Sequence, residues 1–247
     1  VVINHRGIIL TNAHVGQHVL LSEAPTNVSC FVRAGAPAQT RWRVRVLHLP
    51  PVWIMEHAAD LQTERPTGTG EHDYALLLAE PLDEQSPRVT GLPALPIDSR
   101  EGLLELDNEV LLASYPAGFL GAYATQNNLH PVTTITRIEG LYTFTETVVD
   151  LVSLGGVIIA QGGSSGGGVL NRWGRLVGII VTTSDGATTA ERDLRAITIA
   201  HIDRSLRKHA GMSLTELIGP DAEKHANDFR TNELPALVQK LIDHLPH

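Results

Sequence analysis

The sequence predicts an all-β fold, a barrel or sandwich, with a short helical tail. Short apolar runs rich in Val, Ile, Leu and Thr recur along most of the chain, separated by glycine and proline turns. Sustained helical periodicity is confined to the last segment. Aromatic residues are only 4%, so the core must be built from Val, Leu, Ile and Ala. No internal repeat of solenoid length is evident.

The elements follow in order. Val1 to Ile3, the turn Asn4-His5-Arg6-Gly7 and Ile8 to Thr11 read as a β-hairpin. The pattern begins abruptly, which predicts that the chain is a fragment of a longer product. Val19-Leu20-Leu21 and Cys30 to Arg33 are short strand candidates. Trp42 to Leu49 alternates apolar and polar residues as a half-buried strand does, and Pro50-Pro51 ends it. Residues 56–71 are polar and contain Pro66-Thr67-Gly68-Thr69-Gly70, a surface loop. Tyr74 to Leu78 resumes an apolar strand, and the proline-rich residues 87–98 connect two halves.

In the second half, Glu109 to Tyr115, Thr133 to Glu139, Tyr142 to Leu151 and Arg195 to Ala200 are predicted strands. The densest glycine cluster, Gln161-Gly162-Gly163-Ser164-Ser165-Gly166-Gly167-Gly168-Val169, lies between the apolar runs Gly156 to Ala160 and Leu176 to Val181. Such a cluster marks backbone that turns tightly or approaches something closely. It is either a hairpin linker or a loop that presents a serine.

The tail changes character. Ile202 and Leu206 suggest a short helix, and Ser213 and Glu216 have capping-box spacing. Leu234, Leu237, Val238, Leu241, Ile242 and Leu245 line one face of a helix begun near Asn232, with Pro235 in its first turn. That face predicts packing on the barrel, with an oligomer contact as the second candidate role.

Bulk properties exclude several function classes. The net charge is −8 and no basic cluster tracks phosphates, which argues against nucleic-acid binding. No apolar run is long enough to span a bilayer. Cys30 is the single cysteine, so there is no internal disulfide or thiolate metal cluster. His14 and His18 have His-x-x-x-His spacing but no third ligand at zinc spacing, so neither a metal nor another cofactor is expected.

A serine hydroxyl becomes a nucleophile only beside a base that is itself oriented by an acceptor. His14 stands at the end of an apolar strand in Thr-Asn-Ala-His-Val. Asp73 leads directly into a hydrophobic run, where a charge is costly unless hydrogen-bonded. Together with the glycine loop, these segments resemble the trypsin-like serine proteases, closest to the bacterial HtrA-like branch. Gly7 to Val15 resembles the histidine motif, Asp73-Tyr74-Ala75-Leu76-Leu77 the aspartate motif, and Gly163 to Gly168 the serine motif. The likeness spans roughly residues 1–203, with the chain order His, Asp, Ser.

The resemblance implies two six-stranded antiparallel β-barrels of chymotrypsin type, the first strands of the N-terminal barrel missing or starting upstream. It implies domains at 1–90, 91–203 and a helical tail at 204–247. Ser165 would attack a peptide carbonyl of a protein or peptide substrate, His14 would shuttle the proton, and Asp73 would hold the imidazole. The amides of Gly163 and Ser165 would form the oxyanion hole. Ile159 would lie at the base of the primary pocket, with Val181, Thr182 and Thr183 as the opposite wall, favouring a small or medium apolar residue rather than Lys or Arg. A periplasmic or extracytoplasmic setting is a further implication. Ser164 stands where trypsin-type zymogens carry an aspartate, so activation by a new N-terminus looks unavailable. Gly168 replaces the usual proline. The rivals are a catalytically inactive protease-like binding or scaffold module, Ser164 as nucleophile, and an esterase elbow; the last is discounted because the acid and base precede the serine and a strand follows it.

Overall fold

The computed structural model describes residues 1–63, 69–144, 147–183 and 188–245, without the side chains of Gln62, Thr182 and Thr183. The expected loop residues Pro66, Thr67 and Gly68 therefore lie outside the described part. Two antiparallel sheets form the molecule. The first contains β1 (Val2–Asn4), β2 (Ile8–Thr11), β3 (Phe31–Ala34), β4 (Gln39–His48) and β5 (Ala75–Glu80), in the order β1-β2-β5-β4-β3. The second contains β6 (Glu109–Ser114), β7 (Val132–Arg137), β8 (Gly140–Tyr142), β9 (Leu151–Ser153), β10 (Gly168–Leu170), β11 (Leu176–Thr183) and β12 (Leu194–Thr198). Its order is β7-β6-β10-β11-β12-β9-β8. The chymotrypsin-like expectation fits, with five and seven strands among the described residues in place of six and six.

Burial explains this arrangement. Strand β5 is central and apolar on both faces, and only its last residue is partly exposed. A shared cluster joins Ile8, Leu10 and Leu76 of the first sheet to Leu176, Ile179 and Ile197 of the second. The two sheets thus bury facing surfaces against each other, which supplies the main drive for holding both halves in one orientation.

Helices fill the margins. They are α1 (Ala13–Ser22), α2 (Pro51–His57), α3 (Ala122–Asn127), α4 (Ile199–Ala210), α5 (Leu214–Leu217), α6 (Ala222–Asn232) and α7 (Leu234–Ile242). The Ser213–Glu216 capping box forms as expected: Ser213 Oγ accepts from Glu216 N at 3.2 Å, and Glu216 Oε2 accepts from Ser213 N at 2.7 Å. Helix α7 starts with Pro235 in its first turn, and its apolar face is buried against α1 and α2. The tail therefore packs on the first sheet.

Several expectations need correction. Tyr142 to Leu151 is not one strand: β8 ends at Tyr142, β9 begins at Leu151, and residues 143, 144 and 147–150 between them are irregular. The expected loop from Glu56 instead opens with the end of α2 and a 3-10 turn at Ala58–Gln62, in which Ala58 is buried. Val19-Leu20-Leu21 belongs to α1, not to a strand. Its buried residues Ala13, Gly16, Val19 and Leu20 follow helical spacing, and a Cβ at Gly16 would lie 2.7 Å from Ala75 Cβ. Glycine there permits close helix–strand packing rather than marking a break. Gly156 to Ala160 is irregular rather than extended. Gly155 has φ +63°, and a Cβ at Gly156 would lie 2.2 Å from Ala190 O, so local crowding overrides the β-branched composition. Finally, Ile199 and Ala200 open α4 rather than ending β12, because Thr198 Oγ1 caps the helix by accepting from His201 N at 3.0 Å.

His48 of β4 lies against Tyr74 and against Phe229 of α6, with ring centroids 6.4 and 5.9 Å away. Burial pushes its pKa down from 6.5 to about 4. Between those values the unfolded chain binds the proton and the folded chain does not, so stability falls as the pH drops through that window. Chemical denaturation at pH 7 and pH 5 should therefore show a smaller acid loss for His48→Leu than for the wild type, by about 2 kcal/mol. Equal losses would show that the ring is not held neutral by its surroundings.

Candidate active site

Sheet pairing brings His14 and Asp73 together. Strands β2 and β5 pair antiparallel with Thr11 opposite Ala75. The residues that follow β2 and those that precede β5 therefore emerge at the same end. Asn12 precedes α1 and is completely buried, but its side chain does not cap that helix. It donates instead from Nδ2 to Asp73 O at 3.1 Å.

Asp73 is 5% exposed and its carboxylate is fully engaged by His14. Oδ1 accepts from His14 N at 2.9 Å, and Oδ2 accepts from His14 Nδ1 at 2.7 Å. These bonds compensate the buried charge. They also fix the ring: with Nδ1 donating, Nε2 is left with the lone pair that a general base uses. The His14 side chain is 28% exposed, open enough to meet a substrate.

The glycine loop is held against both sheets. Gly166 N donates to Ile180 O of β11 at 3.0 Å, and Ala117 N donates to Gly162 O at 2.8 Å. Gly163 has φ +87°, and a Cβ there would lie 2.9 Å from Ala117 N. Gly166 has φ +73°, and a Cβ there would lie 2.4 Å from Thr11 Oγ1. Thr11 ends the strand that leads to His14, so the residue after Ser165 rests on the segment that presents the histidine. Backbone contact this close is open only to glycine.

The two serines differ in environment. Ser164 is 1% exposed; its Oγ donates to Ile159 O at 2.6 Å and accepts from Ser114 Oγ at 3.3 Å. Ser165 is partly exposed, and its Oγ makes no hydrogen bond among the described residues. The amides of Gly163 and Ser165 likewise have no partner among the described residues. The structure therefore joins His14 to Asp73 and sets the Ser165 loop beside their strand, while a His14–Ser165 hydrogen bond is not made in this state.

The expected pocket residues lie mostly inward. Ile159 is completely buried in a cluster with Leu112, Val169 and Val177, and Val181 is buried with Leu10 and Tyr74. The side chains of Thr182 and Thr183 fall outside the described part. An exposed rim that sequence reading missed flanks the loop. Phe119 N donates to Gln161 Oε1 at 3.3 Å, Gln161 Nε2 donates to Ile158 O at 2.8 Å, and Phe119 and Ile158 are both largely exposed. The signal was Phe119-Leu120, a large apolar pair directly after the Pro116-Ala117-Gly118 turn.

The chain belongs to the trypsin-like peptidase domain family, whose model matches residues 1–179. No curated protein compared with it matches. Among solved structures, it is similar to the HtrA-type protease AlgW with a decapeptide, at 17% identity and a TM-score of 0.53, covering 85% of this chain and 51% of that one. It also resembles an inactive form of Rv3671c from M. tuberculosis H37Rv, at 17% identity and a TM-score of 0.50, covering 85% and 80%. A serine endoprotease from Yersinia pestis matches at 19% identity and a TM-score of 0.50, covering 84% and 55%. The chain spans about half the length of the AlgW chain it matches. At these identities the likeness to solved structures is one of fold.

The loop geometry predicts a contrast between two glycines of similar φ. Gly174 has φ +71° but open space around it, so Gly174→Ala should cost only about 1 kcal/mol. Gly166→Ala adds a collision with Thr11 and should cost about 2–4 kcal/mol in thermal unfolding. Equal costs would mean that the loop does not rest on Thr11.

Proposed function

We propose that this chain is a serine endopeptidase hydrolysing peptide bonds of proteins. The observation that carries the reading is the bidentate engagement of buried Asp73 by His14, beside a glycine loop that leaves the Ser165 hydroxyl without a hydrogen bond among the described residues. In this reading Ser165 Oγ attacks the scissile carbonyl carbon while His14 Nε2 takes its proton. The imidazolium so formed is stabilised by Asp73. The proton then passes to the leaving amine, and water repeats the sequence on the acyl-enzyme. The carbonyl oxygen gains charge during attack and is received by the Gly163 and Ser165 amides; loss of one such donor typically costs about 2.7–4 kcal/mol of transition-state stabilisation.

The division into a His14- and Asp73-bearing half (1–90), a Ser165-bearing half (91–203) and a tail (204–247) belongs to the same proposal. So does the preference for a small or medium apolar residue before the cleaved bond. Its support is the apolar character of Ile159 and Val181, with no acidic residue at the position that would receive Lys or Arg. The decapeptide that accompanies AlgW supports a peptide as the class of ligand.

A second reading is a protease-like binding module without catalysis. The absent His14–Ser165 hydrogen bond favours it, although such bonds are often long before substrate arrives. Labelling with a fluorophosphonate probe separates the two. Wild type and Ser164→Ala should label, and Ser165→Ala and His14→Ala should fall by at least about a thousandfold. A folded wild type that neither labels nor cleaves casein would establish the binding module.

A further inference from the structure

Helix α4 contacts the segment that carries Asp73 at two points on one face. His201 Nε2 lies 2.7 Å from Glu71 O, and Ser205 Oγ accepts from Tyr74 OH at 2.9 Å. Residues 201 and 205 are one turn apart, so both side chains leave α4 on the same side. Glu71 and Tyr74 bracket Asp73. Between them, Asp73 N donates to Gly70 O at 3.1 Å and Tyr74 N donates to His72 O at 2.9 Å, making a tight turn.

The His201 ring faces acceptors at both nitrogens. Nδ1 lies 2.7 Å from Asp150 Oδ1, and Arg204 also donates to that oxygen. Asp150 is buried at 3% exposure, and its other oxygen accepts from Phe144 N at 2.7 Å. A carboxylate with that many donors acts as an acceptor toward Nδ1, and a carbonyl oxygen can only accept. Both ring nitrogens therefore face acceptors, which ties His201 between Asp150 and Glu71. The other charged or titratable groups around it are Glu101, paired with Arg204; the Glu71 carboxylate; and His72, whose ring stacks edge-on with His209. Burial lowers the pKa of His72, and the ring faces the Glu71 carboxylate rather than its carbonyl.

We propose that His201 and Ser205 form a clamp through which α4 sets the position of Asp73 against His14, making His201 a positioning residue for the reaction. This rests on the peptidase reading, in which the Asp73–His14 bond orients the base. Strand β12 and α4 are continuous, and β12 pairs with β11, to which the Ser165 loop is hydrogen-bonded. The clamp thus gives one structural reference to groups from both halves of the chain.

The test exploits the two ends of the ring. Gln at position 201 places its amide nitrogen near the Nε2 position, and Asn places its own near Nδ1. His201→Gln restores the donor to Glu71 O, whereas His201→Asn keeps only the Asp150 contact. In the clamp account, His201→Asn lowers kcat about tenfold or more with little change in KM, and His201→Gln stays within about threefold of wild type. A second readout does not need activity. In the Ser165→Ala background, the NMR titration midpoint of His14 reports its bond to Asp73, because that bond favours the imidazolium. His201→Asn should move the His14 midpoint down, and His201→Gln should leave it near the wild-type value. Equal midpoints in the two variants, or equal kcat where the wild type is active, would overturn the clamp. A silent wild type with shifted midpoints in His201→Asn would overturn the peptidase reading and leave the clamp standing.

Discussion

A carboxylate buried at the head of an apolar strand has to be neutralised by hydrogen bonds, and at Asp73 those come from His14. Both oxygens are used, one by the backbone amide and one by the ring. The same contact closes the end of the β2–β5 pair, begins α1 and fixes the tautomer of the imidazole. Breaking it would strand a charge that is 5% exposed, so fold and chemistry share the constraint. Asn12 reinforces it from Nδ2 onto the Asp73 carbonyl, at the expense of its role as a helix cap.

That trade explains where the sequence was hard to read. With the Asn12 side chain committed to Asp73, α1 begins without a side-chain cap, and Gly16 inside it looks like a breaker. Val19-Leu20-Leu21 then reads as a strand. Helix α2 does carry proline in its first turn, a start signal, yet Pro50-Pro51 also marks the end of β4, and the apolar run Val52 to Met55 after it is too short to show a helical period. Gly156 to Ala160 has a strand's composition but is crowded by Ala190, a contact invisible in one dimension. By contrast, the sheets, the tail helix α7 and the Ser213 cap were legible because each rests on local periodicity or spacing.

The candidate site was legible in parts for similar reasons. The His14 and Asp73 motifs sit on neighbouring paired strands, so position in the chain translates directly into proximity. The choice between Ser164 and Ser165 gains a physical basis from burial: the former is tied to Ile159 O, and the latter is left open. The resemblance implies Ile159 as the base of the pocket and Val181 as part of its wall, but spacing from a motif does not distinguish a pocket lining from the core behind it, and both side chains are buried. The exposed Phe119 and Ile158, joined through Gln161, lie outside any motif. Contacts between distant segments, such as His201 with Glu71, leave no periodic trace at all.

The central claim is that Ser165, His14 and the two loop amides act on one carbonyl. A crystal structure of the chain with a peptidyl boronate tests it most directly, because boron takes the tetrahedral geometry of the acyl-transfer intermediate. The account predicts a bond from boron to Ser165 Oγ, a boronate oxygen within hydrogen-bond reach of the Gly163 and Ser165 amides, and His14 Nε2 in contact with the adduct. Boron on Ser164, or a folded chain with no adduct at either serine, would contradict it.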